Sequence, residues 1–220
     1  MNEKLEMTTT TEIQLTPQEQ PPQKMIKVMT PEELEKNWPT MTPEQKREVW
    51  QYQKVDLAFV TRHYNEVDWP SLSINPFITV EILVNFEHRI SWPSICINDK
   101  RIADEILVNF RHHMLWNVVL AKQYLDMKCL VVLSEIYRKS RDPKSKIFFK
   151  AVSRYQKIDH EYVEAYKRYI DWEELSCNKN ITMQTIEKNI EKLNAKKLLS
   201  HVTIAPWVLK EHEDYFRTFL

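Results

Sequence analysis

Apolar residues return in one fixed order about every 23 residues along this chain, seven times over. That recurrence constrains the fold more than any other feature. A period of this length belongs to small stacked units, because one helical pair cannot bury its apolar face alone whereas a row of neighbours can. The plainest copies are Val67-Asp68-Trp69-Pro70-Ser71-Leu72-Ser73, Ile90-Ser91-Trp92-Pro93-Ser94-Ile95-Cys96 and Ile170-Asp171-Trp172-Glu173-Glu174-Leu175-Ser176. The hexapeptide Glu-Ile-Leu-Val-Asn-Phe stands at both 81–86 and 105–110.

The tryptophan position serves as an anchor slot, filled by Lys46, Trp69, Trp92, Trp116, Phe149, Trp172 and Ala195. Its aromatic members Trp69, Trp92, Trp116, Phe149 and Trp172 read as structural anchors, since sustained periodicity signals burial more often than a stacking surface for bases. Three residues after each anchor comes an apolar slot without exception: Val49, Leu72, Ile95, Val119, Val152, Leu175 and Leu198. Near ten residues after the anchors lie Asp56, Thr79, Ala103, Asp126, Asp159, Thr182 and Ala205, mostly residue types that cap helices. From there, apolar residues follow at offsets of three, four and seven, one face of an α-helix. The expected unit is therefore a short anchor helix, a tight turn and an amphipathic helix of about three turns. The expected fold class is all-α, a solenoid-like stack of short helical hairpins behind an extended N-terminal arm.

Glycine, the usual left-handed residue at helix ends, is absent from the sequence. Asn75, Asn98 and Asn178 follow the anchor helices and are expected to carry those turns instead. Without glycine, phosphate-cradling and dinucleotide-binding loops are excluded. Thr30-Pro31-Glu32-Glu33 and Thr42-Pro43-Glu44-Gln45 both spell a capping box with proline at the first helical position. Five parts follow: a flexible arm over 1–28, a helical cap over 29–45, four units over 46–136, a basic linker over 137–146 and three units over 147–220. The linker is where about ten residues interrupt the period, and it is expected to loop out of the stack.

The unit Asp-Trp-x-x-Leu-Ser-x-Asn-x-x-Ile-Thr at 171–182, with its variant Tyr-Gln-Lys-Ile-Asp-x-x-Tyr-Val at 155–163, resembles the short tryptophan-repeat proteins of large DNA viruses of amoebae and algae and of some large phages. The likeness covers about 46–216. It implies helical repeats and a viral origin, and it brings no catalytic residues. Lys46 and Ala195 depart from the aromatic anchor, which marks the first and last units as caps.

Candidate chemistry is sparse. Lys+Arg and Asp+Glu balance at 31 each, which removes a global electrostatic case for a nucleic-acid binder. Three cysteines without ligand spacing read as free thiols. His112 and His113 are adjacent, with no Cys or second His three or four residues from either, so they read as polar helix-end residues. Neither a metal, a cofactor nor catalytic residues are expected. The run Arg138, Lys139, Arg141, Lys144 and Lys146 is the candidate patch for an anionic partner, with a solvated linker as the favoured reading. No apolar run approaches the length of a bilayer span, and the first residues lack a signal-like apolar region. The expectation is a non-enzymatic viral structural or interaction protein, a minor virion component that bridges larger proteins, in the host cytoplasm and the particle. Its partners would be other proteins, viral structural proteins foremost, without membrane insertion. The alternative is an intracellular adaptor that binds host protein or nucleic acid through 137–146.

Overall fold

The architecture is that of a computed structural model whose described residues are 28–219. The expected arm, apart from Val28, lies outside them. All regular structure among the described residues is helical. A capped helix, Pro31–Asn37, and a 3₁₀ turn, Trp38–Thr40, open the chain. The anchor helices of units 1 to 7 are then Pro43–Tyr52, Trp69–Ser73, Trp92–Ile97, Trp116–Lys122, Lys144–Tyr155, Trp172–Leu175 and Ala195–His201. Their second helices are Leu57–Arg62, Val80–Asn85, Asp104–Asn109, Met127–Lys139, His160–Ala165, Met183–Asn189 and Pro206–Glu211. Anchor helices touch one another in succession from unit 1 to unit 6, which makes them one layer of the stack.

Local chemistry sets where the second helices start. The side chains of Asp56, Thr79, Asp126, Asp159 and Thr182 each accept an amide hydrogen from the first turn, while Ala103 and Ala205 start their helices without one. Both threonine capping boxes are closed. Apart from Met127–Lys139 of unit 4, the second helices are shorter than three turns, six residues in units 1, 2, 3, 5 and 7. They stop because the next residue drops out of helical backbone, as at His63 (φ −102°, ψ 21°), Phe86 (−124°, 27°), Phe110 (−109°, 26°) and Tyr166 (−113°, 19°). All four have negative φ, and among the described residues none has a positive φ. Such bends need no left-handed residue, so glycine has no task here. Asn75, Asn98 and Asn178 do carry their turns, each Oδ1 accepting from the amide two residues on, at 2.7, 3.2 and 2.8 Å; what is corrected is the left-handed backbone expected of them.

The same side-chain amides also join the units. Asn75 Nδ2 donates to the carbonyls of Trp50 at 2.7 Å and Gln53 at 2.9 Å in unit 1. Asn178 Nδ2 donates to Ser153 at 2.8 Å and Gln156 at 2.9 Å in unit 5. Asn98 reaches Ile74, Gln123 pairs with both backbone groups of Ile102, and Gln156 reaches Leu120 and Gln123. The motif serine works in the other direction. Ser73, Ser153 and Ser176 accept the amide hydrogen of Ser91, Asp171 and Asn194 in the following unit at 2.8, 3.0 and 2.8 Å. Cys96 substitutes a sulfur acceptor, 3.4 Å from the amide of Leu115. Buried main-chain groups that would otherwise lack partners are thus satisfied between neighbours.

The slot three residues after the anchor forms the core's spine: Val49, Leu72, Ile95, Val119, Val152, Leu175 and Leu198 are all buried. Full burial of such a side chain contributes about 1.5–3 kcal/mol. Trp92, Trp116 and Phe149 are buried as well, whereas Trp69 and Trp172 are half-buried. Where Lys46 replaces the aromatic anchor, its Nζ lies 4.9 Å above the ring of Trp38, which is buried and supplied by the N-terminal cap.

The expected linker over 137–146 is not one. The second helix of unit 4 runs on to Lys139, the anchor helix of unit 5 begins at Lys144, and residues 140–143 join them. The extra residues lengthen two helices because they carry apolar side chains at helical spacing. Leu130, Leu133 and Tyr137 are buried on one face, and Tyr137 stacks on Phe148 at 4.8 Å. Tyr137 Oη accepts from Trp116 Nε1 at 2.7 Å, so the added turn packs onto an anchor. Two residues before the anchor, Ile90, Met114, Ile170 and Leu193 are buried in units 3, 4, 6 and 7, yet Ile147, at the same place in unit 5, is exposed.

Candidate functional site

Each unit turns between its two helices, and the hydrogen bonds above place the turns of units 1 to 6 side by side as one edge of the stack, with the turn of unit 7 next in chain order. The residues of this edge are 51–55, 74–78, 97–102, 121–125, 154–158, 177–181 and 200–204. They carry seven cations, Lys54, Lys100, Arg101, Lys122, Arg154, Lys157 and Lys179, against one acid, Asp99. In a chain of zero net charge this is a strong segregation. Four aromatic side chains share the edge and remain open to solvent: Tyr52, Phe77, Tyr124 and Tyr155 are 37, 46, 58 and 37% exposed. Core packing does not account for them.

Internal partners hold some of the cations. Lys122 donates to Asp99 at 2.9 Å, which holds that carboxyl below the usual range. Arg101 pairs with Asp104 at 3.1 Å, and Arg154 reaches Glu174 at 3.6 Å. Lys100 Nζ lies 5.7 Å from the centre of the Tyr52 ring. Lys54, Lys157 and Lys179 are exposed and have no partner among the described residues. Between units 4 and 6 the edge hollows into an open groove of about 490 Å³. Lys122, Arg154 and Lys179 line it with Tyr124 and Tyr155, and Tyr124 Oη accepts from Asn180 Nδ2 at 3.1 Å. Sequence reasoning missed this edge because its cations are about one repeat apart. The signal was a surplus of Lys and Arg in the turns when the units are aligned.

The run singled out in sequence is largely consumed internally. Arg138 and Lys139 pair with Glu135 at 2.6 and 3.3 Å, and Arg138 foremost pulls the Glu135 carboxyl down to about 2. Lys144 donates to the carbonyls of His112 at 2.6 Å and Met114 at 3.3 Å. Only Arg141 and Lys146 are exposed without a partner among the described residues.

Two further groups bear on chemistry. Cys96 and Cys129 are buried, and burial pushes both thiols up, Cys129 to about 11, which opposes the thiolate a nucleophile needs. His112 and His113 stand on the 3₁₀ turn Arg111–His113, and both rings converge on Glu87 from the unit before. Glu87 Oε1 is 3.0 Å from His112 Nε2 and 2.6 Å from His113 Nε2. No helix among the described residues is long and apolar enough to cross a membrane. Comparison with protein-family models, with curated proteins and with solved structures finds no match.

Proposed function

We propose that this chain is a non-enzymatic interaction scaffold whose turn edge binds single-stranded nucleic acid. The observation that carries this reading is the edge itself, with seven cations to one acid and four exposed aromatic side chains interleaved along it. A basic track follows phosphates, and aromatic faces stack bases without regard to sequence. A non-catalytic reading is supported by how the motif residues are employed: serines, asparagines and caps are spent on joints and helix starts. The resemblance of the repeat to viral proteins supports a virion component that holds nucleic acid against larger structural proteins, and mass spectrometry of purified particles tests that part.

Fluorescence anisotropy with a labelled oligo-deoxythymidine tests the edge. Binding should weaken steeply between about 50 and 200 mM salt. Replacing Lys54, Lys157 and Lys179 together by Ser should lower the slope of log affinity against log salt by about 2. Tyr124→Ala with Tyr155→Ala should cost about 1–3 kcal/mol of binding for each stacked base lost. Binding that ignores both sets of changes, or an acidic polypeptide that competes as well as the oligonucleotide, would reject the reading.

A further inference from the structure

We propose that Glu87, His112 and His113 form a zinc site that ties the end of unit 2 to the end of unit 3, on the side of the stack away from the turn edge. Adjacent residues of an α-helix diverge by about 100° and do not share a ligand. A 3₁₀ turn separates neighbours further still, by about 120°, yet on Arg111–His113 the two side chains converge: their ring centres are 4.2 Å apart, and both Nε2 atoms address one carboxylate oxygen. Each of the three side chains has a donor atom within 4.8 Å of the other two. Ligands around a tetrahedral zinc at about 2.0–2.1 Å lie about 3.3 Å from one another, so small side-chain movements suffice to enclose the ion.

The site is held before any ion arrives. The ring of His113 lies flat on Trp92, centres 4.3 Å apart and planes within 4°. The same indole donates through Nε1 to the main-chain carbonyl of Glu87 at 3.2 Å, so one buried side chain holds both the His113 ring and the backbone that carries Glu87. Lys144 bonds the carbonyl of His112 and steadies the turn that carries both imidazoles. The side chains of His112, His113 and Glu87 keep 51, 29 and 41% of their surface in solvent, which leaves room for water as a fourth ligand. Two imidazoles and one carboxylate suit a borderline cation such as Zn²⁺. On binding, each Nε2 gives its lone pair to the ion, and a proton it carried moves to Nδ1 or to water.

Isothermal titration of the full chain with zinc chloride tests the site. One zinc per chain is expected, and Glu87→Gln or the pair His112→Ala with His113→Ala should weaken binding at least about 100-fold. Zinc about 100-fold above its dissociation constant should raise the melting temperature of the unaltered chain by about 5–10 °C, and of Glu87→Gln by far less. Glu87→Gln keeps a hydrogen-bond acceptor toward both rings, so circular dichroism should show its fold intact. Cobalt in place of zinc should give the visible absorption of a tetrahedral ion. No heat and no melting shift with zinc, or a zinc affinity unchanged in these variants, would overturn the proposal. Oligonucleotide binding should survive in all of them.

Discussion

Asn178 donates its side-chain amide to the main-chain carbonyl of Gln156 at 2.9 Å, across the joint between units 5 and 6. Gln156 in turn donates to the carbonyl of Gln123 at the same distance, across the joint between units 4 and 5. Both side chains are buried. Asn178→Ala should therefore leave the carbonyls of Ser153 and Gln156 without a partner, at a cost of about 2–3 kcal/mol. Asn178→Asp should cost more, because a carboxylate cannot donate to either. Urea unfolding measures both, and a loss below about 0.5 kcal/mol for the alanine variant would show that the joint does not rest on this amide.

The anchors should differ in weight. Trp116 is 1% exposed and donates to Tyr137 Oη, whereas Trp172 is half-buried beneath Lys192, whose Nζ lies 4.8 Å from its ring. Trp116→Ala should cost about 3–5 kcal/mol. Trp172→Ala should cost less than half as much, since part of its surface is already in water. Equal losses in thermal melts would contradict this ranking.

Within 138–146 the cations should not be interchangeable. Lys144→Ser removes two bonds to the carbonyls of His112 and Met114, at the end of the 3₁₀ turn Arg111–His113, and should cost about 1 kcal/mol. Lys146→Ser should stay within about 0.5 kcal/mol, as exposed substitutions do. Neither should alter oligonucleotide affinity by more than a small factor if binding lies on the turn edge.

Acid should weaken the Glu135 cluster. Its folded carboxyl is depressed to about 2 from an ordinary 4.5, first by the hydrogen bond from Arg138. A depressed carboxyl contributes stability that is fully present above the unfolded value and is lost as pH falls through the folded one. The melting-temperature difference between the parent and Glu135→Gln should thus be constant above about pH 6 and shrink between about 4.5 and 2. The effect is small, because the pair is exposed and screened by water. A difference that does not change with pH would show that Glu135 acts through packing alone.

Local signals were legible wherever a residue acts on its own neighbours. Caps at Asp56, Thr79, Asp126, Asp159 and Thr182 bond amides two or three residues away, so their chemistry can be read from a short window. The spine from Val49 to Leu198 was legible because a period repeats the same demand for burial seven times. The motif serines and asparagines were visible as positions but not as joints. Their partners lie 18 to 25 residues away, and a hydrogen bond at that separation leaves no trace in local spacing.

By itself, then, the sequence determined an all-α stack of seven small units, their register and the start of each second helix, because helix periodicity and capping are local physics. The tertiary structure alone decided that 137–139 and 144–146 extend two helices, since burial of Tyr137 against Trp116 and Phe148 outweighs the period. It also decided which charges face solvent together. Stacking brings cations from successive turns onto one edge, and sets Glu87 beside His112 and His113 from the next unit. Those neighbourhoods arise only when units pack, because the residues concerned are about one repeat apart in the chain and adjacent only in space.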